Sequence, residues 1–407
     1  MTDADPRLPT IELGALGLDR GADVLLTRAL MGRDVGERLR VHGHDRELGV
    51  HLPAWCRAKG HRVVQIAADA DGVSAIVEVG AQVHARAHEA IRAGLPDPSA
   101  PAAIADVADP RWGLAARGAL VEAGVTPIPF AHARKDEVWA DEAPSLYAQA
   151  AAAQWDPATA IPWDAPIEHD DAIEDAIVQV MTYLVENETT ALLVPARFLA
   201  QIHPHFREVL QVLAIQCADE ARHIEVFTRR ARLRRDVLGT SSAGGQASLA
   251  TLIVEPDFAE ASFLLSVLGE GTFLSLLWFL HACAPDPITR AVAKLAAQDE
   301  ARHVAFGLAH LARHIEREPT LVDRLAVAVE RRHDALAQTA GLNVDVFDAL
   351  VLVAAGGLDP AAIERGHAAV RALVGDMDIG RRRRLERLGF STARARAMSE
   401  LHTRNFM

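Results

Sequence analysis

The chain has 407 residues, enough for two or three domains with separate cores. With 50% hydrophobic and 24% charged residues its balance is globular, and a net charge of -13 argues against nucleic acid as the main partner, because phosphate binding requires a basic surface. Three scattered cysteines, Cys56, Cys217 and Cys283, give no disulfide framework and fit a reducing cytoplasm.

The acidic opening, Met1-Thr2-Asp3-Ala4-Asp5, has no apolar signal core. The longest apolar stretch, near residues 273–280, contains Ser275 and is too short to span a bilayer, so a soluble protein without a membrane partner is expected. Residues 38–41, 62–66 and 73–79 alternate like strands, with helical stretches at 23–31 and 48–59. Together they predict a small α+β domain of βαβαββ order over residues 1–80. The run from Leu16 through His51-Leu52-Pro53-Ala54-Trp55-Cys56 to Gly60-His61 resembles the TusA-like sulfur-carrier family. That family carries sulfur on a cysteine after the first strand, in a Cys-Pro-x-Pro setting. Here the corresponding place reads Arg20-Gly21-Ala22-Asp23, so the resemblance implies a degenerate docking or regulatory module.

Residues 81–165 are rich in Ala and Pro, with breaks at Pro96, Pro98, Pro101, Pro110, Pro127 and Pro129. They read as a connector with short helices at 114–123 and 144–154. A long-period helical pattern follows over 166–318. Helix A is expected over 170–201, kinked or shortened by Pro195, and helix B over 206–237 after the turn at His203-Pro204-His205. A flexible loop at 239–245 leads to helix C over 256–283, and Pro285-Asp286-Pro287 turns it into helix D over 288–317. At least three more helices and a basic tail complete residues 319–407.

The pentapeptide Asp-Glu-Ala-Arg-His occurs twice, as Asp219-Glu220-Ala221-Arg222-His223 and Asp299-Glu300-Ala301-Arg302-His303. Each copy has one glutamate about thirty residues ahead of it, Glu188 and Glu270. Residues i and i+3 share a helix face, so each Glu-x-x-His aims a carboxylate and an imidazole at one point. Midway between Glu188 and Glu220 stands Pro204, and midway between Glu270 and Glu300 stands Pro285. In antiparallel hairpins this puts all four carboxylates at one level, roughly 24 Å from the turns. The two hairpins also align as a repeat, which favours Glu188 over Glu186 as the helix A contributor.

Four inward glutamates carry four negative charges, which two divalent cations cancel. A carboxylate-rich set with two imidazoles and no thiolate suits iron or manganese. The metal ligands expected are therefore Glu188, Glu220, His223, Glu270, Glu300 and His303. Across the repeat, Asp219 is expected to accept from His303 and Asp299 from His223, with Arg222 and Arg302 balancing the acids.

These residues resemble the ferritin-like di-iron carboxylate superfamily, and most of all its dioxygen-activating branches. The resemblance implies a mainly α fold, a ferritin-like four-helix bundle with extra C-terminal helices, holding two iron ions or an Mn/Fe pair. It further implies a mono-oxygenase or hydroxylase-like enzyme with dioxygen as co-substrate, in which Glu220 and Glu300 bridge or shift during catalysis. The substrate would be a small organic molecule in an apolar pocket. No flavin, nicotinamide or iron–sulfur motif is visible, so an external ferredoxin or reductase is the expected electron donor, and the protein is a candidate homodimer. The alternatives are a Mn/Fe oxidase, a peroxide- or iron-handling protein, or a metal-stabilised scaffold without activity.

Cys217, Phe227, Phe273 and Leu192 are candidate pocket walls that would look the same as core residues. His310 and His281 are either proton relays or packed polar groups. The basic run Arg381–Arg384 reads as a solvated helix face that would also suit an acidic electron donor.

Overall fold

Arg38–Gly43 and Val73–Glu78 bury every second side chain, the signature of strands with one face on a core. The computed structural model describes residues 8–81, 89–336 and 344–403. The acidic opening, residues 82–88 of the expected connector and the end of the basic tail lie outside the described residues. The chain divides into two units, Met1–Pro98 with Ala115–Pro127, and Ser99–Leu114 with Ile128–Met407.

In the first unit β1 (Thr10–Glu12), α1 (Ala22–Leu30), β2 (Arg38–Gly43), α2 (Leu48–Ala58), β3 (Arg62–Ala68) and β4 (Val73–Glu78) follow in the expected order. The sheet runs β1-β2-β4-β3, with β1 parallel to β2 and the other pairs antiparallel. Leu26 and Leu30 of α1 and Leu48 and Leu52 of α2 bury against Leu39, Val41 and Val77. Burial pushes the Cys56 thiol up to about 12, which leaves it inert at neutral pH. The helix expected over 114–123 does not form. Gly118 adopts φ 89° and its N–H bonds to the Ala93 carbonyl, so the chain turns and β6 (Leu120–Val121) pairs with β5 (Ile91–Arg92).

The second unit begins with α3 (Lys135–Val138) and α4 (Ala143–Ala152). Four of its long helices form a bundle: α5 (Asp171–Leu199) packs on α6 (Arg207–Ala231), and α10 (Pro287–Arg317) packs on a composite helix C and on α6. Pro195 lies in the last turn of α5, where its missing N–H costs one bond near a terminus, so the helix continues to Leu199. The loop expected over 239–245 is instead the entry to α7 (Ala243–Ile253), capped when Ser242 accepts from the Gly245 N–H at 3.0 Å.

Helix C is not uniform. It comprises α8 (Phe258–Ser262), a π-helical segment Phe263–Glu270 and α9 (Gly271–Cys283). Phe258–Cys283 is long and apolar enough to cross a membrane, as is Val344–Ala355 with Pro360–Arg387 if that pair, bent by 117°, were one span. However, 72% of the apolar window in helix C is buried inside the protein, as a bundle core requires.

Four more helices follow: α11 (Leu321–Leu336), α12 (Val344–Ala355), α13 (Pro360–Arg387) and α14 (Thr392–Thr403). The basic run is not a solvated face. Arg381 is buried and donates to Ser399, and Arg384 donates to the Val267 carbonyl at 2.7 Å. The i, i+3 spacing turns both onto the inner face of α13. Gly271 makes room, since a Cβ there would lie 2.4 Å from Arg384 Nε.

Candidate metal centre

Glu188, Glu220, His223, Glu270, Glu300 and His303 are all buried, each at most 5% exposed. The structure brings them together as two overlapping groups. Glu188, Glu220, His223 and Glu300 form one, and Glu220, Glu270, Glu300 and His303 the other; within each, one ligand atom per residue lies within 4.8 Å of the rest. Glu220 and Glu300 belong to both. The hairpins therefore meet at one level, as their spacing about the two proline turns requires.

Both imidazoles present Nδ1 to the centre. His223 Nδ1 lies 3.2 Å from Glu220, 3.5 Å from Glu300 and 3.6 Å from Glu188. His303 Nδ1 lies 3.0 Å from Glu220 and 3.4 Å from Glu300. The opposite nitrogens face acids on the partner hairpin: His223 Nε2 meets Asp299 at 3.2 Å and His303 Nε2 meets Asp219 at 3.3 Å. Arg222 donates to Asp219 at 2.5 Å and to Asp299 at 2.9 Å, while Arg302 pairs with Asp299.

Two contributors come from the expected connector. Just beyond α4, Gln154 donates to Asp219 and Trp155 to Asp299, both at 2.8 Å, and Arg222 lies 4.6 Å over the Trp155 ring. Gln216, one turn before Glu220, donates to Glu270 at 2.9 Å. Nothing in the local sequence marks these three, although Gln216 shares the face of Glu220. The π segment delivers Glu270: its wider turn lets the Gly271 N–H reach the Ser266 carbonyl five residues back. Gly307 of α10 permits the approach, since a Cβ there would lie 2.7 Å from the Ser266 Cβ.

The electrostatics without a cation are those of a crowded acid cluster. Burial, reinforced by the Glu220 charge, pushes Glu188 up to about 8, and burial with the Glu300 charge holds Glu270 well above the carboxylate range. Burial alone would lower both histidines, but the surrounding carboxylates, Asp299 for His223 and Glu220 for His303 foremost, hold them well above their ordinary value. Burial would raise Asp299 and Asp219, yet the histidines they face keep both low.

Glu188 Oε1 and Glu270 Oε2 are buried without a hydrogen-bond partner among the described residues, and Glu220 Oε1 and Glu300 Oε2 make no hydrogen bond although they lie 3.0 and 3.4 Å from His303 Nδ1. Buried polar atoms are seldom left so. Their convergence, with four carboxylates and two inward nitrogens, fits a pair of oxygen-preferring divalent cations.

A small cavity of about 30 Å³ adjoins this cluster, lined by Glu188, Glu270 and Glu300, by apolar side chains of α5, α7 and helix C, and by Arg332 and His402. Of the expected pocket walls Phe273 lines it and the other three do not. Cys217 donates to the Leu192 carbonyl at 3.7 Å, and Phe227 is buried beside His223 with ring centroids 6.2 Å apart. Burial raises the Cys217 thiol to about 11. Tyr183 is buried and stacks on Phe273 at 5.7 Å. His281 donates from Nδ1 to the Arg290 carbonyl at 3.0 Å, away from the cluster, and His310 sits between Phe258 and Phe306.

No known protein-family model and no curated protein matches this chain. Among solved structures it is similar to a variant R2-like ligand-binding oxidase with an anaerobically reconstituted Mn/Fe cofactor, at 15% identity over 61% of this chain and 93% of that one, TM-score 0.45. It is similar also to a variant with an aerobically reconstituted Mn/Fe cofactor (16% identity, 62% and 93% covered, TM-score 0.43). The R2-like ligand-binding oxidase from Sulfolobus acidocaldarius is a further neighbour (17%, 59% and 91%, TM-score 0.37).

Proposed function

We propose that this chain is a non-haem dimetal oxidoreductase that uses dioxygen on a small organic substrate. The single observation that carries this reading is the set of four inward carboxylates and two inward Nδ1 atoms, with orphaned oxygens facing one another, opening on an apolar cavity. A cluster that served only to stabilise the bundle would have no need of the cavity.

Glu188 and His223 would help to hold one metal and Glu270 and His303 the other, with Glu220 and Glu300, common to both groups, available to both. An iron pair, with Mn/Fe as the alternative, supplies electrons to dioxygen and makes it reactive enough to attack unactivated bonds. The protein's own residues do the rest. Asp299 and Asp219 keep the proton on each Nε2, so Nδ1 stays free to face a cation. Gln216 fixes one oxygen of Glu270 and leaves the other free. Leu264, Leu265 and Phe273 exclude water from the space beside the carboxylates. Reducing equivalents would come from a separate ferredoxin or reductase.

The test is anaerobic loading with iron(II), metal analysis, then exposure to air under an optical spectrometer. Two metals per chain and a transient absorption that decays faster with substrate are expected. A protein that takes up no metal, or binds it without any response to dioxygen, would overturn the reading.

A further inference from the structure

A polar pocket of about 220 Å³ opens beside the last turn of α10. His314 on its wall lies roughly 16 Å along that helix from His303, at about 1.5 Å per residue, so the pocket is not part of the bundle cluster. Four stretches distant in sequence build it: His132 and Glu137 at α3, Asp257 at the N-cap of α8, His314 and Glu318 at the end of α10, and Arg324 of α11.

Its charge is one-sided. Three carboxylates, Glu137, Asp257 and Glu318, share the wall with one arginine. Arg324 is itself divided among Asp257 at 2.8 Å, Glu318 at 3.3 Å and Glu260 at 3.8 Å. Arg134 reaches Glu137 at 3.5 Å, but from a 59% exposed side chain, where water and salt screen it. Burial raises the Glu137 pKa against the pull of Arg134, and the charges of Asp257, Glu318 and Asp136 add to the rise. His314 supplies a second and independent sign. It is 5% exposed, and its Nε2 donates to the Glu318 carboxylate at 3.4 Å, which leaves Nδ1 as a bare acceptor. That Nδ1 is buried with no hydrogen-bond partner among the described residues. An acceptor placed so calls for a donor. Burial lowers the pKa of both His314 and His132, so the two imidazoles stay neutral acceptors and do not offset the acids.

Among the described residues only the two groups at the bundle centre bring three or more donors within 4.8 Å of one another. The donors of this pocket stand further apart, as they would around an ion that keeps its water. Six waters at about 30 Å³ each occupy roughly 180 Å³, which the pocket accommodates.

We propose that this pocket binds one hydrated divalent cation, whose waters donate to Glu137, Asp257 and Glu318 and to the imidazoles of His132 and His314. A small hard cation such as magnesium gives up its water reluctantly and is usually held by one or two carboxylates. Its two positive charges match the excess of three carboxylates over one arginine; a monovalent ion would leave one acid unbalanced, and the acids repel an anion. The site is separate from the dimetal centre and does not depend on that reading.

The experiment titrates manganese(II), a paramagnetic stand-in for magnesium, into the full chain without oxygen and follows it by electron paramagnetic resonance. Ions that share carboxylates at the bundle centre couple to each other, whereas an ion in this pocket gives the signal of isolated manganese. One isolated ion per chain is expected, displaced by excess magnesium, with an anomalous-scattering peak in crystals between Glu137, Asp257 and His314. Glu137→Gln and Glu318→Gln should each weaken it about tenfold, while Glu400→Gln on the exposed face of α14 should not. Absence of a magnesium-displaceable isolated ion would overturn the proposal, as would an anomalous peak outside the pocket, and neither measurement needs a variant. Equal weakening in Glu400→Gln would also overturn it, since net charge alone would then explain the effect. An isolated ion in a protein whose bundle centre takes up none would keep this site and remove the dimetal reading.

Discussion

The Nε2 atom of His223 lies 3.2 Å from Oδ2 of Asp299, a residue 76 positions further along the chain and on the opposite hairpin. The reciprocal pair, His303 and Asp219, closes at 3.3 Å. Each pentapeptide thus orients the imidazole of its twin, and neither half of the repeat is complete alone. Replacing Asp299 by Asn keeps the shape but removes the charge that fixes the His223 proton. Metal affinity is expected to fall about 10–100-fold, the usual effect of losing such a partner. Competition titration against a chelator, with helicity checked by circular dichroism, measures it. An unchanged affinity would show that the acid does not orient the imidazole.

Metal stoichiometry distinguishes shared from unshared carboxylates. Glu188 and Glu270 each belong to one group, whereas Glu220 and Glu300 belong to both. Glu188→Ala and Glu270→Ala should each retain about one metal per chain, and Glu220→Ala and Glu300→Ala each close to none, judged against about two in the parent, since the first two remove a ligand from one group and the last two a ligand from both. Mass-spectrometric metal analysis after reconstitution gives the answer. Equal loss in all four variants would mean that the ligands do not divide in this way.

Arg230 is fully buried, bound to Glu174 through two bonds at 2.8 and 2.9 Å and to Asp286 at 3.0 Å. Removing the guanidinium leaves Asp286 without a cation in the interior and Glu174 with only His169 Nε2, at 2.7 Å. Arg230→Met is expected to cost about 3–5 kcal/mol of stability, read from urea unfolding midpoints. A loss under about 1 kcal/mol would show that water or a rearrangement replaces the charge.

His310 gives a pH dependence independent of any metal. Phe258 and Phe306 pack on its ring, His314 and His132 face it, and neither ring nitrogen has a hydrogen-bond partner among the described residues. Burial, helped by those two histidines, lowers its pKa from 6.5 to about 3. The unfolded chain takes up a proton near 6.5 that the folded protein refuses until about 3, so stability is lost as pH falls through that window. The slope from this group is about 1.4 kcal/mol per pH unit. His310→Leu should therefore be less acid-sensitive than the parent, compared by urea unfolding at two pH values within the window. An identical slope in both proteins would show that His310 is protonated in the fold.

The bundle and its six inward side chains could be read along the chain because helical periodicity is local. Three residues separate Glu220 from His223, and a proline turn stands midway in each hairpin, so one face and one level follow from spacing. The aspartate–histidine exchange was also legible, since a duplicated motif in facing hairpins places each copy beside the other. Gln154 and Trp155 were not, because they reach the site from outside the repeat and no local pattern aims them there. The π segment was hidden for a related reason: an apolar run reads alike at either helical pitch, and packing against Gly307 accompanies the wider one. The basic run misled because adjacent arginines point to different faces, and the packing of α13 decides which are buried.

The sequence by itself determined a duplicated helical hairpin carrying two Glu-x-x-His pairs and two further glutamates at one level, because charge, residue type and helical spacing are fixed within each stretch of chain. Only the tertiary structure decided that a small cavity lies beside that cluster and that Arg332 and His402 help to line it. Arg332 and His402 stand on helices beyond the repeat, and only long-range packing brings them to the cavity that opens on Glu270.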